Sequence, residues 1–233
     1  MNKLFTTIAI TLSATLSIYA QSDTKSIEII KKSIDAIGGK EKLENVKTLY
    51  TEMQINNDPV FYITKEKAPN KGALEVKVNE NSVYGYRFDG NNGFEFSEGQ
   101  IKQMPKEELF DKINRKHIIN ELAYLDPTIW TFTYLGQTKI NNKKVHQLKG
   151  KNENGIVEYV YFDSKDYLKV RNEKLIDNDE NKKSIIDYYD YRNVDGVNLY
   201  FRFVVTDPDK TVTTMTFSKQ VINNGVIDND FVY

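Results

Sequence analysis

The sequence contains no cysteine. That absence excludes disulfides, thiolate nucleophiles, cysteine zinc sites and Cys-ligated iron–sulfur clusters. It also excludes the lipid anchor of a bacterial lipoprotein, which needs a cysteine at the mature N-terminus. Histidine is almost as scarce, at 2 residues, His117 and His146. His117 opens His117-Ile118-Ile119-Asn120-Glu121. A zinc-protease helix needs Glu directly after the first His and a second His, and this stretch has neither. His146 alternates with Val145 and Gln147 on a strand pattern. No nucleophile elbow and no phosphate-binding glycine loop is present. Asp177-Asn178-Asp179-Glu180-Asn181 lacks the glycine and the distant glutamate of a calcium loop, and reads as an acidic hairpin tip. Acid pairs such as Asp187 and Asp190 are expected by chance among 33 Asp+Glu. We therefore expect no cofactor, no metal and no catalysis. An excess of one charge is also missing: Lys+Arg is 32 against those 33 acids. This removes the electrostatic reason to expect nucleic acid or an anionic membrane surface as partner.

Long apolar runs are confined to the start of the chain. Residues 1–20 read as a secretory signal, with Lys3 as the basic region, an apolar stretch from Leu4 to Leu16, and Ala20 before the expected cut. The stretch is too short to span a bilayer comfortably. The expected mature chain, residues 21–233, is one exported, soluble, monomeric domain of the periplasm.

What the chain has in abundance is strand-forming sequence. Its 15 Tyr and 12 Phe favour β structure. Before them, Ser26–Ile37 predicts a helix with Ile27, Ile30, Ile34 and Ile37 on one stripe, ended by Gly38-Gly39. Lys40–Asn45 is expected as a turn. From Val46 the period becomes 2, and short strands alternate with Asn, Asp, Gly and Pro punctuation up to Met104. Pro105 opens a helical stretch to about Leu125, with Leu109, Ile113 and Tyr124 on one side and Ile118 and Leu122 nearly opposite. This pattern predicts either one helix between two layers or a break near Lys116 into two. Strands resume at Thr128, with Trp130, Phe132 and Tyr134 on one face. Tyr159 and Tyr161 oppose Val160 and Phe162, so bulky residues occupy both faces. The absence of a β-α-β rhythm excludes doubly wound folds. The expected architecture is mainly β with some α: an antiparallel meander of about 11–12 strands, a sandwich or a barrel.

Several local stretches resemble a known family. Lys67-Ala68-Pro69-Asn70, then Phe88-Asp89-Gly90 with Gly93-Phe94-Glu95-Phe96, and Tyr191-Arg192-Asn193-Val194-Asp195-Gly196-Val197 with Leu199 and Tyr200 are similar to segments of the bacterial outer-membrane lipoprotein-sorting proteins, the LolA-like periplasmic carriers. Ala36-Ile37-Gly38-Gly39 with Leu43 and Val46 resembles the opening of exported Bacteroidetes-type members. The resemblance implies an incomplete antiparallel β-barrel, LolA/LolB-like, whose helices cover a hydrophobic cavity for acyl chains of lipoproteins or lipids. Its expected partners are those acyl chains and membrane-bound transfer proteins. Two departures stand out: Tyr200 where the family has proline, and Ala68 where the family has a lid-contacting arginine, so that contact is not carried over.

On this reading the cavity and lid are formed by Leu109, Phe110, Ile113, Ile118, Leu122, Trp130, Phe132, Phe94 and Phe96. The pocket is expected in the ~300–1,000 Å³ range of ligand sites. A filled core would instead fit a structural or protein-interaction module. A histidine beside a carboxylate in a concave site would fit an uncharacterised hydrolase.

Overall fold

A computed structural model describes residues 22–233, with the side chains of residues 110 and 111 outside that description. The expected signal segment lies outside the described residues. Helix α1 runs over Thr24–Ala36. Asp23 caps it by accepting from Ser26 N at 2.8 Å, which satisfies one of the free donors of the first turn. The buried stripe is Ile29, Ile30, Ile34 and Ile37. Ile27 is only half-buried, so the apolar face is rotated from the expected one. Gly38 ends the helix at φ +136°, and a Cβ there would lie 2.8 Å from the Gly196 carbonyl oxygen. Lys40–Glu44, expected as a turn, is a short helix, α2, which buries Leu43.

Thirteen strands form one antiparallel sheet. The first six are β1 (Thr48–Ile55), β2 (Val60–Lys67), β3 (Lys71–Val78), β4 (Asn81–Phe88), β5 (Gly93–Ser97) and β6 (Gln100–Gln103). After helix α3 (Lys106–Ile113) and a 3₁₀ segment at Asn120–Leu125 come β7 (Trp130–Ile140), β8 (Lys143–Asn152), β9 (Val157–Asp163) and β10 (Lys169–Ile176). The last three are β11 (Asp179–Val194), β12 (Val197–Thr206) and β13 (Val212–Ile222). The order is β6-β5-β4-β3-β2-β1-β13-β12-β11-β10-β9-β8-β7. The sheet does not close; β6 and β7 are its edges. This is the incomplete barrel with covering helices, with slightly more strands than expected.

The helical stretch after Pro105 takes the broken form: residues 114–119 separate α3 from the 3₁₀ segment. α1 and the 3₁₀ segment lie over the inner face of the sheet, where the main core forms. Phe132, Leu148, Val160 and Phe162 are fully enclosed there. Phe132 stacks on Trp130 at 5.6 Å and meets Tyr124 edge-on at 5.0 Å. A separate cluster of Val145, Tyr159, Tyr161 and Leu175 occupies the other face of β8–β10, which accounts for the two-sided aromatic pattern.

The turn motifs hold this frame together. Asn70 donates to the Gly90 carbonyl at 3.1 Å and to the Ile113 carbonyl at 3.2 Å, tying two hairpin turns to the end of α3. Asp89 accepts from the backbone of Asn91 and Asn92, and those N–H groups hold its carboxyl below the ordinary value. Asn198, after the Asp195-Gly196 turn, donates to Ala36 O at 2.8 Å and docks the end of α1 on β12.

Candidate functional site

β1 meets β13 in the middle of the sheet, and a partly open cavity of about 260 Å³ lies there. Its wall draws Leu49, Thr51 and Met53 from β1, Thr64 and Glu66 from β2, and Phe217 and Gln220 from β13. Leu199 and Tyr200 of β12, Tyr188 and Tyr191 of β11, and Lys169 of β10 face them. The roof is Ile37 and the segment Arg115–Glu121, except for Lys116 and His117. Strand alternation would send Tyr188 and Tyr191 to opposite faces. Asp190 between them has φ +58°, the period breaks, and both tyrosines line the cavity.

The cavity is smaller and more polar than expected. Its volume falls below the ~300–1,000 Å³ usual for ligand sites. Lys169 donates to Glu121 at 2.5 Å, and both side chains are almost entirely buried. Burial alone would push the Glu121 carboxyl up; the Lys169 ammonium more than reverses this and holds it below the ordinary value. Burial likewise opposes the charge on Lys169, yet Glu121 and the surrounding tyrosines raise its pKa well above the ordinary value. Both groups therefore stay charged, and Lys169 Nζ lies 4.5 Å from the Tyr188 ring centre. At the roof, Arg115 forks onto Glu66 and donates to the carbonyls of His117 at 2.9 Å and Ile118 at 2.7 Å. One guanidinium thus shapes the 114–119 connection and fastens it to β2. Thr51 and Thr64 share a hydroxyl–hydroxyl hydrogen bond of 2.6 Å on the wall. Behind Tyr124, on the inner face, Glu158 is buried and accepts from Asn172 at 2.8 Å. Burial raises its pKa.

The residues expected at the site are not all together. Ile118 lines the cavity. Leu122, Trp130 and Phe132 belong to the adjoining core. Leu109 is 2% exposed and packs with Phe88 and Met104 in a separate cluster. Ile113 is 42% exposed. The Phe110 side chain lies outside the described residues. Phe94 and Phe96 pair with Arg87 and Gly85, which places them on the face opposite Phe88 and Leu109. Phe96 lines a recess of about 180 Å³ there, with Arg87, Asp230 and Tyr233. The C-terminal segment covers this outer face: Lys67 and Lys71 clasp Asp228, each at 2.8 Å, and Phe231 is enclosed.

Neither histidine reaches the inner cavity. His146 is buried, stacked on Tyr167 at 5.6 Å, and burial lowers its pKa. His117 lines recesses outside the 114–119 connection. Asp187 is held by Arg171 at 2.7 and 2.8 Å, and Asp190 by Arg192. Among the described residues, no group of three or more His, Asp and Glu is placed to hold a metal.

No protein-family model matches the chain, and no curated protein matches it in sequence. Solved structures do match it in fold. A DUF1329 family protein from Desulfovibrio piger superimposes with a TM-score of 0.63 at 13% identity, over 89% of this chain and 97% of that one. A putative outer membrane lipoprotein-sorting protein domain from Vibrio parahaemolyticus gives a TM-score of 0.61 at 13% identity, over 88% and 95%. A LolA superfamily protein from Nitrosomonas europaea gives 0.55 at 10% identity, over 86% and 97%. The fold is LolA-like.

Proposed function

We propose that this LolA-like chain is an exported, non-enzymatic carrier that binds acyl chains of lipoproteins or lipids in the periplasm. The observation that carries the reading is the cavity between the sheet and the 115–121 roof, on a fold shared with a lipoprotein-sorting domain. Ile37, Leu49, Met53, Ile118, Leu199 and Phe217 give it an apolar portion, and burial of each CH₂ there stabilises a bound chain by about 0.8 kcal/mol. Binding of this kind needs no catalytic group. Export rests on residues 1–20, and protein from the periplasm should begin at or near Gln21. N-terminal sequencing that returned Met1 would refute the export signal.

The cavity's size favours a second reading, a structural or protein-interaction module. Native mass spectrometry of the protein purified from the periplasm separates the two. Co-purified lipid, released on denaturation, supports the carrier. Apo protein that also fails to take up amphiphiles added in solution leaves the module.

A further inference from the structure

The charged groups on the cavity wall come in matched pairs. The four that line it are Lys169 with Glu121 and Arg115 with Glu66. Every positive charge already has its counter-charge inside the site, and the Lys169 pair is almost entirely buried. Between the pairs stand uncharged hydrogen-bonding groups. Tyr200 lines the cavity, and its hydroxyl makes no hydrogen bond among the described residues. Among the described residues, the Thr51 and Thr64 hydroxyls bond only to each other. Gln220 donates to the Tyr200 carbonyl at 2.7 Å and keeps its own amide oxygen for another donor.

We infer that the cavity selects amphiphiles with an uncharged, hydroxyl- or ester-bearing head, such as a monoacylglycerol, over fatty-acid anions and alkylammonium cations of the same chain. This rests on the carrier reading and adds the chemistry of the head. A carboxylate head would enter a partly desolvated site in which both cations are already paired. To reach Lys169 it must displace Glu121, and a carboxylate is then stranded in either case. An alkylammonium meets the mirror-image problem at Glu121 and Glu66. A hydroxyl head offers both donor and acceptor to Tyr200, Thr51 and Gln220 and leaves both pairs intact. Sites that recognise through buried polar groups discriminate strongly, because a wrong head leaves those groups unpaired.

The test is isothermal titration of the mature protein with 1-monolauroylglycerol, laurate and dodecyltrimethylammonium, below their micellar concentrations and at a pH where laurate is ionised. The glyceride should bind at least about tenfold more tightly than either ion. Glu121→Gln releases the charge on Lys169 and should move the preference towards laurate by about tenfold. Should that variant not fold, Glu121→Gln/Lys169→Met removes both charges together and should keep the preference for the glyceride. Laurate bound by the unaltered protein as tightly as the glyceride overturns the inference and leaves the carrier reading standing. An unchanged ranking in Glu121→Gln, or a laurate preference in the double variant, also overturns it. Failure of all three amphiphiles to bind removes the carrier reading itself.

Discussion

Leu122 and Ile113 look alike in sequence, as apolar residues of one helical stretch, yet the structure assigns them opposite roles. Leu122 is 5% exposed within the main core and does not line the cavity. Leu122→Ala leaves a void among packed neighbours. Such truncations cost about 2–5 kcal/mol, the transfer term plus the cavity term. For a chain of this size each kcal/mol lowers Tm by about 2–4 °C, so Tm should fall by roughly 4–20 °C. Ile113 is 42% exposed, and Ile113→Ala should stay within about 0.5 kcal/mol, or ~2 °C. Ile118 is buried but faces the cavity, where part of its surroundings is already empty. Ile118→Ala should fall near the low end of the range, about 2 kcal/mol, and weaken glyceride binding. Differential scanning calorimetry of the three variants, with titration by 1-monolauroylglycerol, reads both effects. A Leu122→Ala protein that melts like its parent, or an Ile113→Ala protein that melts far below it, would show that the packing of the 106–125 segment is not as described.

Further substitutions probe the buried polar groups and one tight contact. Glu158 Oε1 and Asn172 Oδ1 are both buried without a partner. Because burial raises the Glu158 pKa from its ordinary 4.5, native stability is lost as pH rises above that value. Glu158→Gln should therefore raise Tm at neutral pH by about 2–4 °C, through roughly 1 kcal/mol, with no gain well below pH 4.5. A lower Tm at neutral pH would sink this reasoning. Asp228, held by Lys67 and Lys71, and Asp126, held by Lys116 and Thr128, both have pKa values lowered from 3.8 to about 2. Their contribution is present above 3.8 and disappears as pH falls towards about 2. Asp228→Asn should flatten the acid limb of a Tm-against-pH curve in that window, and an unchanged slope would count against the clasp. A Cβ on Gly150 would sit 2.5 Å from the Phe132 ring. Gly150→Ala should cost about 1–3 kcal/mol by overpacking, and an unaltered melting curve would mean that the ring can yield.

The fold was legible because it is written in local chemistry. Asn141-Asn142, Asp177-Asn178 and Asp195-Gly196 adopt positive φ at strand ends, and the alternation between such turns predicts the strands. The resemblance of the Asn70, Asp89-Gly90 and Asn193–Val197 segments to carrier sequences corresponds to turn residues that fasten α1 and α3 to the sheet. The site was much less legible. Strands with aromatics on both faces carry no sign of which face is inner, and Phe94 and Phe96 fall on the outer one. Glu121 and Lys169 are separated by 48 positions, and each reads by itself as an ordinary solvated charge. Tyr188 and Tyr191 share the cavity only because of the left-handed residue between them. The sequence does carry one pointer: Tyr200, standing where the family pattern has proline, lines the cavity.

The β1–β13 junction also shapes the route by which the chain folds. Every other pairing in the sheet joins strands adjacent in sequence, and this one joins opposite ends of the described chain, as Leu49 with Ile222. Two runs of hairpins, β1–β6 and β7–β13, can each zip from local turns with little loop-closure entropy. The seam must close a loop of most of the chain before it gains any contact. It should therefore form last, giving a slow phase in refolding. Since the cavity straddles that seam, amphiphile binding should arise with the slow phase and not with the early gain of strand signal, so that competence to bind reports completion of the sheet.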